Sequence, residues 1–104
     1  MAIKSRLNVE VGDTETEIIE STETDKSEDR TFGVGNGDKE IIATAWGSDD
    51  GENWQVEESK NVAPSSYKVL IVGNNHFPFV KLTGRTTSAT ETSVVDGYLT
   101  YSEP

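Results

Sequence analysis

The sequence predicts an all-β chain, an antiparallel β-sandwich of jelly-roll-like form with seven to eight strands. Short runs rich in Val, Ile, Thr and aromatic residues recur along it, separated by turn residues at intervals of roughly eight to twelve positions. No stretch has helical periodicity. The 104 residues, with 33% hydrophobic content, are enough for one modest core. We therefore expect a single domain over residues 1–104.

The N-terminal third of the chain predicts three strands and a polar loop. Lys4–Val11 alternates apolar and polar residues as a half-buried strand does, and Thr14–Glu20 follows a Gly-Asp turn. Residues 20–30 contain no large apolar side chain, so they are expected to form a solvated loop, with an interaction segment as the alternative. Thr31–Val34 is a short strand, and the Asn-Gly pair after it is typical of a tight turn.

A β-hairpin over Lys39–Glu58 is the strongest local prediction. Two runs of β-type residues flank the acidic segment 48–53, whose Ser, Asp and Gly residues are typical of a turn. Trp46 and Trp54 lie beside this turn. We expect both tryptophans to anchor the core, Trp54 in particular.

Three further strands are predicted after the hairpin. Tyr67–Val72 is enriched in β-branched residues and has no helical spacing, which indicates a central strand buried on both sides or nearly so. Phe77–Thr83 is the next strand, with Pro78 at its beginning or on an edge. Residues 84–93 form a second polar loop. Val94–Tyr101 closes the fold, and its internal Asp-Gly pair is interpreted as a bulge.

The charge of the chain restricts its partners. Asp and Glu number 19 against nine Lys and Arg, which gives a formal net charge of −10 and a pI of about 4.4. Such a surface repels nucleic acid, because phosphate binding needs clustered cations, and it disfavours anionic membranes. Salt screens the self-repulsion, so a halophilic source is one interpretation and an ordinary acidic surface is the other.

The candidate ligand sites in the sequence are weak. Asp49 and Asp50 could face a cation, but the spacing of a calcium loop is absent and a plain hairpin turn is preferred. The glycines at 33, 35 and 37 resemble a phosphate loop only superficially, because a strand follows them. His76 has no partner at a recognisable spacing. We predict no enzyme activity, no metal and no cofactor.

The aromatic residues suggest a different kind of site. Exposed aromatic side chains on a sandwich can stack on sugar rings or anchor a partner protein. Phe79 opposes the parity of Val80 and Leu82, so it is the best candidate for an interface. We predict an interface that includes Phe77, Phe79 and Tyr98.

A resemblance covers the segment from about Lys39 to Leu82. There the sequence resembles discoidin-like jelly rolls and the small β-sandwich structural proteins of tailed viruses, in which a turn of the form S-x-DG-x-x-W precedes a strand with an aromatic-Val-basic-Leu motif. The matching residues are Ser48, Asp50, Gly51, Trp54, Phe79, Val80, Lys81 and Leu82.

The resemblance implies a virion structural protein, such as a capsid decoration, turret or tail component. With the acidic composition it suggests a tailed virus of a halophilic archaeon. We therefore expect a symmetric homo-oligomer that contacts copies of itself and other virion proteins, is made in the host cytoplasm and resides in the virion. The alternative is a carbohydrate-binding or adhesion module that recognises a glycan.

Overall fold

The computed structural model describes residues 1–104 as eight β-strands without a helix, and therefore without a helix able to cross a membrane. The strands are β1 (Ala2–Val11), β2 (Thr16–Glu23), β3 (Arg30–Gly35), β4 (Ile41–Ser48), β5 (Gln55–Val62), β6 (Tyr67–Val72), β7 (Phe79–Thr86) and β8 (Ser93–Tyr101). They form two antiparallel four-stranded sheets. The predicted fold class, an antiparallel β-sandwich of seven to eight strands, is confirmed.

The strand order of the two sheets makes most connections cross between them. Sheet A has the order β1-β8-β3-β6, and sheet B has the order β2-β7-β4-β5. The hairpin of β4 and β5 is the one connection that stays within a sheet, as predicted. The Asn-Gly pair after β3 lies in a crossover, so the prediction of a tight turn there is wrong. Asn36 holds this crossover through its side-chain amide, which donates to the carbonyl oxygens of Lys39 and Val62.

The core lies between the sheets and contains residues from all eight strands, which alternate along the strands except at Ile18 and Ile19, where the pairing of β2 with β7 shifts register. Sixteen buried apolar residues form one cluster. In β7, Val80 and Leu82 are fully buried while Phe79 and Lys81 lie on the other side, half-buried, which confirms the predicted parity of this strand. Each such large side chain contributes roughly 1.5 to 3 kcal/mol by leaving water.

The strands extend further into the polar segments than the sequence indicates. β2 continues to Glu23, which pairs with Phe79 of β7, and β7 continues to Thr86, which pairs with Ile41 of β4. The buried Thr86 hydroxyl donates to the carbonyl oxygens of Ser88 and Glu91, so a polar residue is accommodated there. The bulge expected in β8 lies instead on the neighbouring strand β1, between Arg6 and Val9. Asn8 adopts a φ of 57° there, and its N–H donates to Asp96 Oδ1.

β6 differs most from its prediction as a central strand. It is an edge strand of sheet A, and only one of its faces is buried. Leu70 and Val72 are fully buried, whereas Tyr67, Val69 and Ile71 point outward with exposed fractions of 56%, 38% and 47%. One side of β6 therefore contributes to the core, and the other side exposes apolar side chains to solvent.

Arg30 is a buried cation at one end of the sandwich, and no carboxylate lies within ion-pair distance of it. Its guanidinium donates to the carbonyl oxygens of Val72 (3.1 Å), Asn74 (2.8 Å) and Phe77 (2.9 Å) and to the hydroxyl of Thr24 (3.3 Å). Burial lowers the pKa of Arg30, and nearby carboxylates partly oppose this shift. Arg30 thereby joins the end of β2, the start of β3 and the connection between β6 and β7.

Replacement of this cation should weaken the fold strongly. Arg30→Met fills much of the volume but removes the guanidinium donor from three carbonyl oxygens, of which that of Asn74 retains the Phe77 N–H at 3.4 Å. We therefore expect the free energy of unfolding to fall by about 3 kcal/mol or more. Urea denaturation measures this value. Arg85→Met is the matched control, because Arg85 is exposed. An equal loss in the two variants would show that the buried contacts of Arg30 contribute nothing.

Candidate functional site

The three predicted interface residues occupy different parts of the molecule. Phe77 is only 6% exposed and packs over Gly47, whose missing side chain leaves room for the ring. Phe79 is half-buried on sheet B against Gly51. Tyr98 is half-buried on the outer side of sheet A. The structure therefore does not bring them together, and only Tyr98 belongs to the apolar surface described below.

The two tryptophans lie on the outer side of sheet B, outside the core cluster. The expectation that they anchor the core is wrong, because the strand parity of β4 directs Trp46 outward and Trp54 precedes β5. Lys81 Nζ lies 4.4 Å from the ring centroid of Trp54 and 5.6 Å from that of Trp46. Trp46 Nε1 donates to Thr83 Oγ1 at 2.8 Å. These rings are therefore occupied by local cation–π and hydrogen-bond contacts.

The acidic turn of the β4–β5 hairpin is built around one carboxylate. Asp50 Oδ1 accepts the backbone N–H groups of Glu52 and Asn53, both at 2.9 Å, and Oδ2 accepts the side-chain amide of Asn53 at 2.8 Å. The Ser48 hydroxyl also donates to Oδ1. These bonds, the backbone bond from Asn53 first, hold the pKa of Asp50 well below its usual range. Both oxygens are thus engaged in shaping the turn.

The other polar candidates do not assemble into a reactive site. His76 lies exposed in the connection before β7, and its backbone N–H donates to Asn74 Oδ1. No group of three or more His, Cys, Asp and Glu side chains is arranged to hold a metal ion. The glycines at 33 and 35 lie in the middle and at the end of β3, where their role is to make room for a neighbouring side chain.

The outer side of sheet A carries the most distinctive surface of the molecule. The strand register aligns its outward-facing residues in two central rows that cross all four strands. The first row is Ile3–Thr100–Thr31–Ile71, and the second is Ser5–Tyr98–Gly33–Val69. Neither row contains a charged residue, although 27% of the chain is charged. We call this surface, with the adjoining Tyr67 and Val94, the sheet A face.

Exposed apolar side chains are concentrated on the sheet A face. Five of the eight large hydrophobic residues that the fold leaves exposed belong to it, and these are Ile3, Tyr67, Val69, Ile71 and Val94. Depletion of charge together with exposed aromatic and aliphatic residues is the composition found at the centre of protein interfaces. The face is therefore the leading candidate for a binding surface.

Tyr67 lies flat along this face because β3 offers two glycines beneath it. A Cβ atom at Gly33 would lie 1.8 Å from the Tyr67 hydroxyl, so no side chain fits there. A Cβ atom at Gly35 would lie 3.7 Å from the near edge of the ring, an ordinary contact distance. The ring thus spans both glycines. Tyr98 is the β8 partner of Gly33, so it lies in the row over which the Tyr67 hydroxyl extends.

The free edge of β6 is closed by side chains from β5. Glu58 Oε1 accepts the backbone N–H of Ile71 at 3.1 Å, and Lys60 Nζ donates to the carbonyl oxygen of Val69 at 2.8 Å. Glu58 and Lys60 also form an ion pair at 3.6 Å. Inward-pointing charges of this kind discourage the addition of a further strand. A partner of sheet A would therefore meet its face and not this edge.

A cleft of about 260 Å³ opens at one end of the sheet A face. Thr31 and Thr100 of the first row form part of its lining, and Glu28 and Asp29 make it acidic. Beyond the second row, Asp96 lies within the face, opposite Gly35 and between Tyr98 and Val94 on β8, and Glu10 pairs with Val94. The two uncharged rows are therefore bordered by carboxylates on both sides.

Sequence analysis missed the sheet A face because the residues of β6 were assigned to a strand covered on both sides. The available signal was the spacing of Gly33 and Gly35, since two glycines with a period of two in a strand indicate the close approach of another group. The exposure of Ile3 and Val94 had no comparable signal, because each belongs to an ordinary alternating strand.

Comparison with known proteins identifies the fold alone. No family model matches the chain, and no curated protein does. Among solved structures, the crystal structure of PirA is similar, with a TM-score of 0.66 and 16% sequence identity over 90% of this chain and 90% of that one. The two chains therefore share a small all-β sandwich fold.

The acidic turn predicts a specific pH dependence of stability. Because the folded-state pKa of Asp50 is depressed, its hydrogen bonds stabilise the fold above the ordinary value of 3.8 and lose this effect as the pH falls below it. The difference in the free energy of unfolding between the wild type and Asp50→Asn should therefore be largest near neutral pH and should shrink below about pH 4. Chemical denaturation at several pH values measures it.

Asp49→Asn is the control for this experiment. It removes the same charge from the neighbouring position, where the carboxylate makes no hydrogen bond. A pH dependence that matches the Asp50→Asn profile would mean that general charge repulsion, and not the turn, determines the effect.

Proposed function

We propose that this chain is a non-enzymatic structural protein that assembles with copies of itself as a component of a virion. The observation that carries the proposal is the sheet A face, whose two central rows carry no charge and whose exposed side chains are mainly apolar, on a chain with a net charge of −10. Apolar area of this kind is costly in water, and burial between subunits removes that cost. The proposed mechanism is recognition by surface complementarity, with the carboxylates remaining hydrated outside the interface.

The dimensions of the molecule are compatible with such an interface. The Cα atoms of the sandwich span 37 × 25 × 17 Å along the principal axes. A four-stranded face on a body of this size is compatible with the ~800 Å² per partner of a standard protein interface. The closed edge of β6 supports contacts through the face, since continuation of the sheet would require displacement of Glu58 and Lys60.

Two further features support the virion assignment. The β4–β5 hairpin and β7 carry the motif that resembles the small structural proteins of tailed viruses, and the order of strands in the two sheets is compatible with a jelly roll. The excess of carboxylates supports a halophilic host, where salt screens their mutual repulsion. In this proposal the chain decorates the capsid or forms part of a turret or tail.

A charge placed in the centre of the sheet A face should abolish self-assembly. Val69→Lys introduces an ammonium group among exposed apolar residues, so we expect the variant to remain folded and to sediment as a monomer under conditions in which the wild type is oligomeric. Analytical ultracentrifugation in molar salt measures this. Val56→Lys is the matched control, because Val56 is 54% exposed and lies on sheet B. A wild type that is monomeric at every concentration and absent from purified particles would contradict the proposal.

A second candidate function, carbohydrate binding, is supported by the position of the Tyr67 ring over Gly33 and Gly35. A ring held flat against two glycines, with its other side open to solvent, offers a surface on which a sugar ring can stack. Tyr98 extends this surface, and the hydroxyl groups of Thr31 and Thr100 lie in the next row. Neutral glycans fit better than anionic ones, because carboxylates border the face.

The two glycines under Tyr67 offer a matched test of this second candidate. Gly33→Ala should lift the ring from the sheet, whereas Gly35→Ala should leave it in place, since the added methyl group meets ordinary contact distances. Retention on immobilised neutral oligosaccharides should therefore be lost in Gly33→Ala and in Tyr67→Ala and kept in Gly35→Ala. If the wild type is retained by none of the immobilised oligosaccharides, the carbohydrate function is rejected.

A further inference from the structure

We infer, independently of the proposed assembly, that Asn36 is a site of spontaneous deamidation that the closed fold protects, and that the closed fold cannot accommodate the product. Asn36 precedes Gly37, and the chain contains no other Asn-Gly pair. The pair lies in the crossover between β3 and β4, which links the two sheets. Opening of this crossover therefore exposes the molecule to an irreversible change.

The reaction needs only the chain and water. The backbone nitrogen of Gly37 gives up its proton to solvent and attacks Cγ of Asn36, so that a new C–N bond forms. The bond between Cγ and the side-chain nitrogen Nδ2 breaks, and this nitrogen takes up a proton from solvent and leaves as ammonia. Water then opens the cyclic imide at one or the other of its carbonyl groups, which leaves an aspartyl or an isoaspartyl residue. Glycine favours the attack because it has no Cβ atom to block the approach.

The folded chain engages every polar atom of the Asn36 side chain. Nδ2 donates to the carbonyl oxygens of Lys39 (2.6 Å), Val62 (3.0 Å) and Ala63 (3.2 Å). Oδ1 accepts the hydroxyl of Ser93 at 2.8 Å. Movement of Cγ to bonding distance from the next backbone nitrogen would bend or break these bonds. The closed crossover therefore disfavours the attack.

The backbone of the pair is held as well. The N–H of Asn36 donates to the carbonyl oxygen of Ser66 at 2.9 Å, and the carbonyl oxygen of Gly37 accepts the Ser65 N–H at 2.7 Å. Gly37 also packs against β8, where an added Cβ atom would lie 2.6 Å from the carbonyl oxygen of Val94. Ring closure needs a backbone rearrangement that these contacts resist. Deamidation is therefore expected from an open crossover and not from the closed one.

The product does not fit the contacts that hold Asn36. A carboxylate at position 36 has no hydrogen to donate, so it would place a negative charge against the carbonyl oxygens of Lys39, Val62 and Ala63. An isoaspartyl linkage lengthens the main chain by one methylene group and displaces its bonded neighbours. Of the side-chain bonds, the one from Ser93 alone can form with a carboxylate oxygen. A molecule that is converted while open should therefore not close as before.

Peptide mapping by mass spectrometry measures the reaction at Asn36 in folded and unfolded protein. Asn75 is the internal reference, because it is exposed in the connection before β7 and His76 follows it. In guanidinium chloride Asn36 should convert faster than Asn75, since glycine follows it. In native buffer Asn36 should convert about tenfold or more slowly than in denaturant, and more slowly than Asn75.

Two pairs of variants test the protection and the misfit of the product. Ser93→Ala removes the hydroxyl that joins Asn36 to the Lys39 N–H, so deamidation in native buffer should accelerate severalfold. Ser48→Ala is the matched control, because it removes a buried hydroxyl at the far end of β4 and should leave the Asn36 rate unchanged. Asn36→Asp, which reproduces the product, should lower the urea midpoint of unfolding. Asn75→Asp adds the same charge and should leave the midpoint nearly unchanged.

Each contrary result overturns a stated part of the inference. If Asn36 converts equally fast in native buffer and in denaturant, the hydrogen bonds give no protection. If Ser48→Ala accelerates the reaction as much as Ser93→Ala does, unfolding of the whole domain and not opening of the crossover exposes the pair. If Asn36→Asp is as stable as Asn75→Asp, the fold accommodates the product. These results leave the proposed assembly through the sheet A face unaffected.

Discussion

The buried guanidinium of Arg30 is the interaction on which one end of the sandwich depends. A cation without a carboxylate partner is tolerated in the interior only when hydrogen bonds spread its charge, and here three backbone carbonyl groups and one hydroxyl do so. Those carbonyl groups belong to the end of β6 and the irregular connection that follows it. Arg30 therefore gives that connection its shape and places Phe77 over Gly47, where the ring closes the core. Because β6 and β7 belong to different sheets, the same side chain also determines how the sheets meet.

The two sheets differ in how their outward-facing apolar side chains are covered from water. Sheet B covers its apolar groups with local contacts, in which Lys81 lies over two tryptophan rings and Thr83 links Trp46 to Glu15. Sheet A has no such cover. Its centre consists of hydroxyl groups, glycine and exposed Ile, Val and Tyr side chains. The contrast within one small domain argues that the bare face has a purpose beyond stability.

The sequence was sufficient for the architecture because period-two alternation and turn residues are local signals. The hairpin of β4 and β5 was predictable for this reason, since Asp50 and Gly51 act within a few residues of one another. The outward faces were not predictable. Whether Val69 and Ile71 meet solvent depends on which strand lies at the edge of sheet A, and strand order is a non-local property. The same limit applies to Trp54, whose neighbour Lys81 lies in another strand.

The roles of Arg30 and of the glycines of β3 cannot be inferred from the sequence, because the residues that they contact lie far away along the chain. In the sequence Arg30 ends a polar segment that is expected to be solvated, yet its three carbonyl acceptors come from a segment more than forty residues away. Gly33 belongs to the predicted strand Thr31–Val34, where nothing nearby in the sequence explains a glycine, yet no side chain fits there beneath Tyr67. Both cases involve a partner from β6 or its continuation, so a single long-range pairing determines both.

The position of β8 in sheet A has a consequence for biosynthesis. β8 is the last of the eight strands in chain order, yet it lies between β1 and β3, and no two strands of sheet A are consecutive in the sequence. The growing polypeptide can form the β4–β5 hairpin early, but β1 has no partner until β8 emerges from the ribosome. The apolar face of this sheet therefore comes into existence only when translation of the domain is finished.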